Sequence, residues 1–286
     1  MHADTVVAYN NVVTNCILYN NYSQASGGAI GVGEGAQGSV YNCSMYSNSS
    51  AYGGAIRYSY CAASEIYNCS FWENINYQSY GGGAVGCSAT PLKIKNCLFY
   101  KNKITASDGK GGGFGYWAGA GYSCDLQNCT FVGNTATNGG GGISIWSGLG
   151  ANFSARNLII YDNYSFSDYQ NIYLEDNSYT NSFTNCCIAT ANYVFPVAQG
   201  NITNAPLLVD TNVDNYRLSA NSPCINTGMN QDWMTNAVDL AGYLRLRFGR
   251  VDIGAYEWYP RIKVNGVPYE KIRFINGTEP YWINGI

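Results

Sequence analysis

The sequence predicts an all-β fold: a single-stranded right-handed parallel β-helix with a small antiparallel appendage at its C-terminus. Three observations predict it. First, an Asn-Cys unit recurs as NCILYNN (15–21), NCSMYSN (42–48), NCSFWEN (68–74), NCLFYKN (96–102) and NCTFVGN (128–134), with looser copies NLIIYDN (157–163) and NCCIATAN (185–192). Its first Asn returns after 27, 26, 28, 32, 29 and 28 residues, a period that belongs to solenoids, propellers and arrays. Second, a glycine signature lies between the units: GGAI (27–30), GGAI (53–56), GGAV (82–85), GGGF (111–114) and GGGI (140–143). Third, short apolar stretches alternate with Gly and Asn, and no helix-length periodic segment occurs between residues 1 and 200. Three such stretches per period fit three strands and three bends per coil. A propeller blade needs a longer repeat, about 40 residues, with hairpin turns.

In a wound sheet, equivalent positions of successive coils lie about 4.8 Å apart. The alternation within Cys-x-Phe then directs two columns inward: Cys16, Cys43, Cys69, Cys97, Cys129 and Cys186, and beside them Leu18, Met45, Phe71, Phe99, Phe131 and Ile160. A third inward column precedes each Asn by two positions, from Val13 to Phe183. Free thiols pack as small hydrophobes, so a reduced stack is expected. The Asn columns suit left-handed bends and can bond rung to rung, and the paired glycines turn where a Cβ would clash. These repeats are scaffold and say nothing of chemistry.

The composition agrees. Gly (34) and Tyr (26) are abundant, which favours strands and tight turns. Charged residues make up 12% of the chain and the net charge is −3, so no basic footprint for nucleic acid is present. No apolar run reaches the roughly 20 residues that span a bilayer. The N-terminus lacks the basic and apolar regions of a signal peptide, and because it starts in mid-repeat, Met1 is expected to be a boundary rather than a native start.

Two resemblances bear on function. The pairing of GGA[IV] with FWEN (71–74), FYKN (99–102) and FVGN (131–134) resembles the passenger repeats of chlamydial polymorphic outer-membrane proteins, which are surface-displayed β-helical adhesins. The stretch LSANSPCINTG followed by VDLAGYLRLRFGRVDIGAYE, within 218–257, resembles the terminal module of choice-of-anchor Q β-helix proteins, through Ser222, Pro223, Cys224, Ile225, Gly228, Asp239, Gly242, Arg245, Gly249, Asp252, Gly254, Ala255, Tyr256 and Glu257. That family implies a secreted bacterial protein and supplies no catalytic residues.

The expected organisation is therefore a β-helix over 1–257, its terminal capping module at about 203–257, and an NG-rich hairpin appendage over 258–286. Asn-Gly recurs there at 265–266, 276–277 and 284–285, a hairpin signal that also offers a route to homo-oligomers through residues 260–286. Asp239, Arg245, Asp252 and Glu257 form the densest charged set in a charge-poor chain. They are read as a structural cap in which Arg245 or Arg250 pairs with Asp252 or Glu257 to close the end of the solenoid. A Ca²⁺ site is the minor alternative; otherwise no cofactor or metal is expected.

Evidence of catalysis is thin. The only histidine is His2. The column four residues after Cys holds no stacked carboxylates, and its neighbours Glu73 and Lys101 read as an exposed ion pair. Asp108, Lys110 and Asp125, in the excursions within 103–125, are the candidate groove of a polysaccharide lyase or glycoside hydrolase. The column three after Cys is more suggestive: Tyr19, Tyr46, Trp72, Tyr100, Val132 and Tyr161. Such an exposed aromatic ladder, Tyr19, Tyr46, Trp72, Tyr100 and Tyr161, either stiffens the sheet or binds a glycan or surface protein. The expected function is a non-catalytic, carbohydrate- or protein-binding adhesion module on a bacterial cell surface. The alternatives are a polysaccharide-degrading enzyme and a phage tail fibre or spike component.

Overall fold

A computed structural model describes residues 10–147, 152–167, 169–175, 181–188, 199–246 and 248–259, together with the backbone of 263–264 and 267–268. Each full coil carries four strands, where the sequence suggested three. The second coil shows the plan: Gln37–Tyr41, Ser44–Tyr46, Ser49–Ser50 and Ile56–Ser59. Stacking makes four parallel sheets, the first and second of seven described strands and the third and fourth of six. The strand that the pattern missed is two residues long and follows the second Asn directly, too short to show any alternation.

Two left-handed bends per coil shape the winding. The first Asn column, from Asn15 to Asn185, turns with φ between 48° and 56°. At the second bend the left-handed residue precedes the Asn: Asn20, Ser47, Glu73, Lys101, Gly133 and Asp162. Glu73 and Lys101 do not pair as expected. The Lys101 ammonium lies 2.6 Å from the Asp214 carboxylate instead, because a returning segment passes beside this bend.

The second Asn column runs inside the coil. The side-chain amide of Asn21 donates to Oδ1 of Asn48 at 2.9 Å, and the chain continues through Asn74, Asn102, Asn134 and Asn163 at 2.8–3.0 Å. The backbone N–H of each also donates to the Oδ1 of the next, at 3.0–3.1 Å. Buried amides are thus fully engaged, which a dry interior requires.

Beside this ladder run the two inward columns. Phe71, Phe99 and Phe131 stack with centroids 4.7 and 4.5 Å apart, and all three are fully buried. The backbone N–H groups of Cys16, Cys43 and Cys69 each donate to the sulfur one coil on, at 3.4 Å. All 11 cysteines are free and only Cys16 is not buried. Burial pushes the Cys186 thiol up to about 12 and the Cys124 thiol well above the ordinary thiol range.

After Ile202, which pairs with Cys187 in the last rung, the chain turns back. Residues 207–259 do not close the end of the solenoid, as the sequence suggested; they lie along its flank. The first Asn column is their rail. Asn185, Asn157, Asn128 and Asn96 donate to the carbonyls of Thr227, Met229, Asp252 and Val238 at 2.9, 2.8, 3.1 and 3.0 Å. Each coil offers one spare amide at this bend, and the outer face of the second sheet offers Leu98, Val132 and Ile159, which the segment buries.

Beyond it, Lys263–Val264 and Val267–Pro268 pair antiparallel about positions 265–266. The Asn-Gly pairs at 276–277 and 284–285, and the rest of the contact surface expected over 260–286, lie outside the described residues. No helix among the described residues is long and apolar enough to cross a membrane.

Candidate binding surface

The aromatic column is a continuous stack. Ring centroids are 5.0 Å apart for Tyr19 and Tyr46, 4.4 Å for Tyr46 and Trp72, and 5.6 Å for Trp72 and Tyr100, with interplanar angles of 8–12°. Each inner ring therefore spends both faces on its neighbours and presents only an edge to solvent. A sugar stacks on a face, so this arrangement stiffens the sheet more readily than it binds. Nor is the ladder exposed throughout. Tyr19 is 52% exposed, but Tyr100 meets Tyr216 at 4.9 Å and Tyr161 lies against the Ile159–Leu218 cluster. The flank segment covers this end because its own apolar residues need the same surface.

The charged set in that segment is buried. Arg245, fully shielded from solvent, donates through Nη1 to Glu257 Oε1 at 2.8 Å and to the Gly254 carbonyl at 3.0 Å. Through Nη2 it donates to Asn96 Oδ1 and to the Ala255 carbonyl, so it joins the segment to the fourth coil. All six carboxylate oxygens of the set are engaged. Asp239 accepts from the backbone N–H groups of Ala241, Tyr243 and Glu257. Asp252 accepts from those of Asn226 and Trp258, and Glu257 from Arg245 and the Asp252 N–H. These oxygens hold loops rather than await a cation, and no group of three or more His, Cys, Asp or Glu among the described residues is arranged for a metal.

This set predicts a pH dependence. Burial pushes Asp252 up to about 6 and Glu257 up to about 8, above ordinary carboxyl values of 3.8 and 4.5. Both values are raised in the folded state, so the folded protein holds protons that the unfolded chain releases. The stabilisation is full below about pH 4 and is lost as pH rises through 6 and 8. Thermal melts from pH 4.5 to 8.5 should show the flank segment loosening by a few kcal/mol toward the alkaline side. A midpoint rising with pH over that interval would refute this.

A half-exposed indole with one stacked neighbour occurs on the fourth sheet. Trp117 and Trp146 are register partners on Phe114–Ala118 and Ile143–Ser147. Tyr80 stacks on Trp117 with centroids 6.0 Å apart and meets Trp146 edge-on at 5.8 Å. Trp117 stays 50% exposed, with one stacked neighbour among the described contacts. Gly115 makes the arrangement fit: a Cβ there would lie 2.6 Å from the Gly81 backbone, in the loop that carries Tyr80. Lys110 sits over Trp146 at 4.6 Å and over Tyr173 at 4.1 Å. Sequence reasoning did not single out these tryptophans, although each follows the first glycine of its GGG by six residues, at 111 and 140.

A groove of about 250 Å³ crosses the first sheet, lined by Tyr41, Glu65, Lys93 and Asp125 among others. Glu65, Lys93 and Asp125 align in register three residues before the first Asn, on a different sheet from the column four residues after Cys. Asp125 is held by Arg156 at 2.7 Å, by Ser154 at 2.6 Å and by Gln127 at 2.6 Å, and Glu65 pairs with Lys95 at 2.9 Å. Asp108 accepts a hydrogen bond from Ser79, away from this groove and at the rim of the Trp117 face.

Comparison with known proteins adds one finding. A family model described as a right handed beta helix region matches residues 2–158, more than half of the chain. No curated protein and no solved structure matches it.

Proposed function

The chain belongs to the right-handed β-helix family, and from that premise we propose that it is a non-catalytic binding module displayed outside a bacterial cell, where it holds a glycan through the Trp117 face. One observation carries the reading: a half-exposed indole with a single stacked neighbour, Tyr80, stands on the fourth sheet beside its register partner Trp146. Large exposed aromatic surface generally marks an interaction site, and rigid elements place such residues well. Extracellular display is supported by the likeness of 218–257 to choice-of-anchor Q modules and of the rungs to polymorphic outer-membrane protein repeats. The Tyr19–Tyr46–Trp72 stack lies on the second sheet, outside this site, and stiffens that sheet.

The test is a glycan array followed by titration. Trp117→Ala should weaken binding about tenfold or more, the size of a lost stacking contact in a desolvated site, while Trp72→Ala leaves it unchanged. Equal affinity of wild type and Trp117→Ala would sink the proposal.

A second reading is favoured by the first-sheet groove: a polysaccharide-cleaving enzyme using Glu65 and Asp125 on either side of Lys93. Two rungs put their backbones roughly 9.6 Å apart, near the carboxylate spacing of inverting glycosidases. Release of reducing or unsaturated ends from a polysaccharide panel, abolished by Asp125→Asn, would install it in place of the first.

A further inference from the structure

The Trp117 face carries two cations that form no ion pair among the described residues and outnumber the one acid at its rim, Asp108. Ion pairs elsewhere join Lys95 to Glu65, Lys101 to Asp214, Arg156 to Asp125 and Arg245 to Glu257. Among the described residues neither Arg57 nor Lys110 has such a partner, in a chain whose net charge is −3. Arg57 projects from Ile56–Ser59, lies 5.6 Å over the Tyr52 ring and donates from Nη2 to Ser88 Oγ at 2.6 Å. Burial lowers its pKa, as expected of a guanidinium taken from water without a counter-charge. Lys110 rests on two rings, and a cation held by π faces keeps its N–H donors for another acceptor. The one acid at the rim, Asp108, is bonded to the Ser79 hydroxyl.

These groups converge on a notch of about 20 Å³ whose lining includes Ser88, Lys110, Trp117, Ser144 and Trp146. That volume suits about one water-sized group and excludes a ring. Arg57 reaches the notch through its bond to Ser88. A ligand that uses this face must therefore lay its bulk across Trp117 and insert a single small polar substituent, and two unpaired cations select an anionic one.

We propose that the ligand is an acidic glycan: a pyranose stacked on Trp117 whose carboxylate or sulfate places one oxygen in the notch lined by Ser88 and Ser144 and meets Lys110 and Arg57. This rests on the reading of the Trp117 face as a binding surface. Uronate and sulfate esters share the chemistry that the notch reads, and paired polymers separate them.

The experiment is calorimetric titration of the full chain with alginate and carboxyl-reduced alginate, and with dextran sulfate and dextran. The expected result is binding of at least one acidic polymer, about tenfold or more tighter than its neutral counterpart. Lys110→Gln and Arg57→Gln should erase that preference, and Trp117→Ala should weaken binding to every polymer. Lys110 lies at the surface, so its variant remains informative if Arg57→Gln proves misfolded by circular dichroism. Equal affinity for acidic and neutral partners, with Trp117→Ala still damaging, would overturn the anionic ligand and leave the binding surface standing. Acidic polymers bound equally by wild type and Trp117→Ala would overturn both. Binding to none of the four polymers would likewise overturn the anionic ligand.

Discussion

Replacing Arg245 by alanine is expected to cost about 3–5 kcal/mol at pH 8 and to release the flank segment from the coil. The guanidinium is fully buried and holds Glu257, two carbonyls and Asn96 at once. Without it Glu257 and the nearby Asp239 and Asp252 remain as buried acids with no counter-charge, and the Gly254 and Ala255 carbonyls lose a donor. Loss of the contact to Asn96 also frees the apolar face of Leu98, Val132 and Ile159. Limited proteolysis should then cut within 207–259, where the wild type resists. Because the burial-raised carboxyls can protonate, the damage should be smaller at pH 5 than at pH 8. A loss below 1 kcal/mol at both pH values, with the segment still protected, would show that docking rests on the Asn rail alone.

Asn102→Ala should be comparably severe, about 3–5 kcal/mol by urea unfolding. Its Oδ1 accepts both the backbone N–H and the side-chain amide of Asn74, at 3.1 and 2.9 Å, and its own amide donates to Asn134 and to the Phe71 carbonyl at 2.9 Å. Alanine orphans at least two donors in a dry interior and opens a cavity beside the Phe stack. Asn21→Ala, at an exposed position whose Oδ1 accepts from no donor among the described residues, should cost far less. Equal effects at the two positions would mean that the amide ladder is not continuous.

How much of this was legible follows from what repeats. A wound sheet places the same chemistry at the same position of every coil, so the Cys, Phe and Asn columns announce themselves at a spacing near 28 residues. The two-residue third strand has too few positions to show a period. The course of 207–259 is set by contacts such as Asn96 with Arg245 and Asn128 with Asp252, which join residues 149 and 124 positions apart and leave no local trace. The outward residue opening the second-sheet strand reads Ile17, Ser44, Ser70, Leu98, Thr130 and Ile159, and Ile17 stays exposed while Leu98 and Ile159 are covered, so this column alone does not announce the cover. The aromatic ladder was visible as a column, but whether its rings offer faces or edges depends on side-chain torsions that spacing does not encode. Trp117 and Trp146 were equally visible at a spacing of 29 and were passed over because they lie outside the Asn-Cys unit.

Counting reactive thiols tests the stacked coil most directly. Titration of the reduced native protein with a thiol-specific disulfide reagent should modify one cysteine, Cys16, and unfolding in guanidinium should release all 11. Prompt reaction of several thiols in the native state would contradict the stack, and with it the alignment of positions one coil apart on which both proposed surfaces depend.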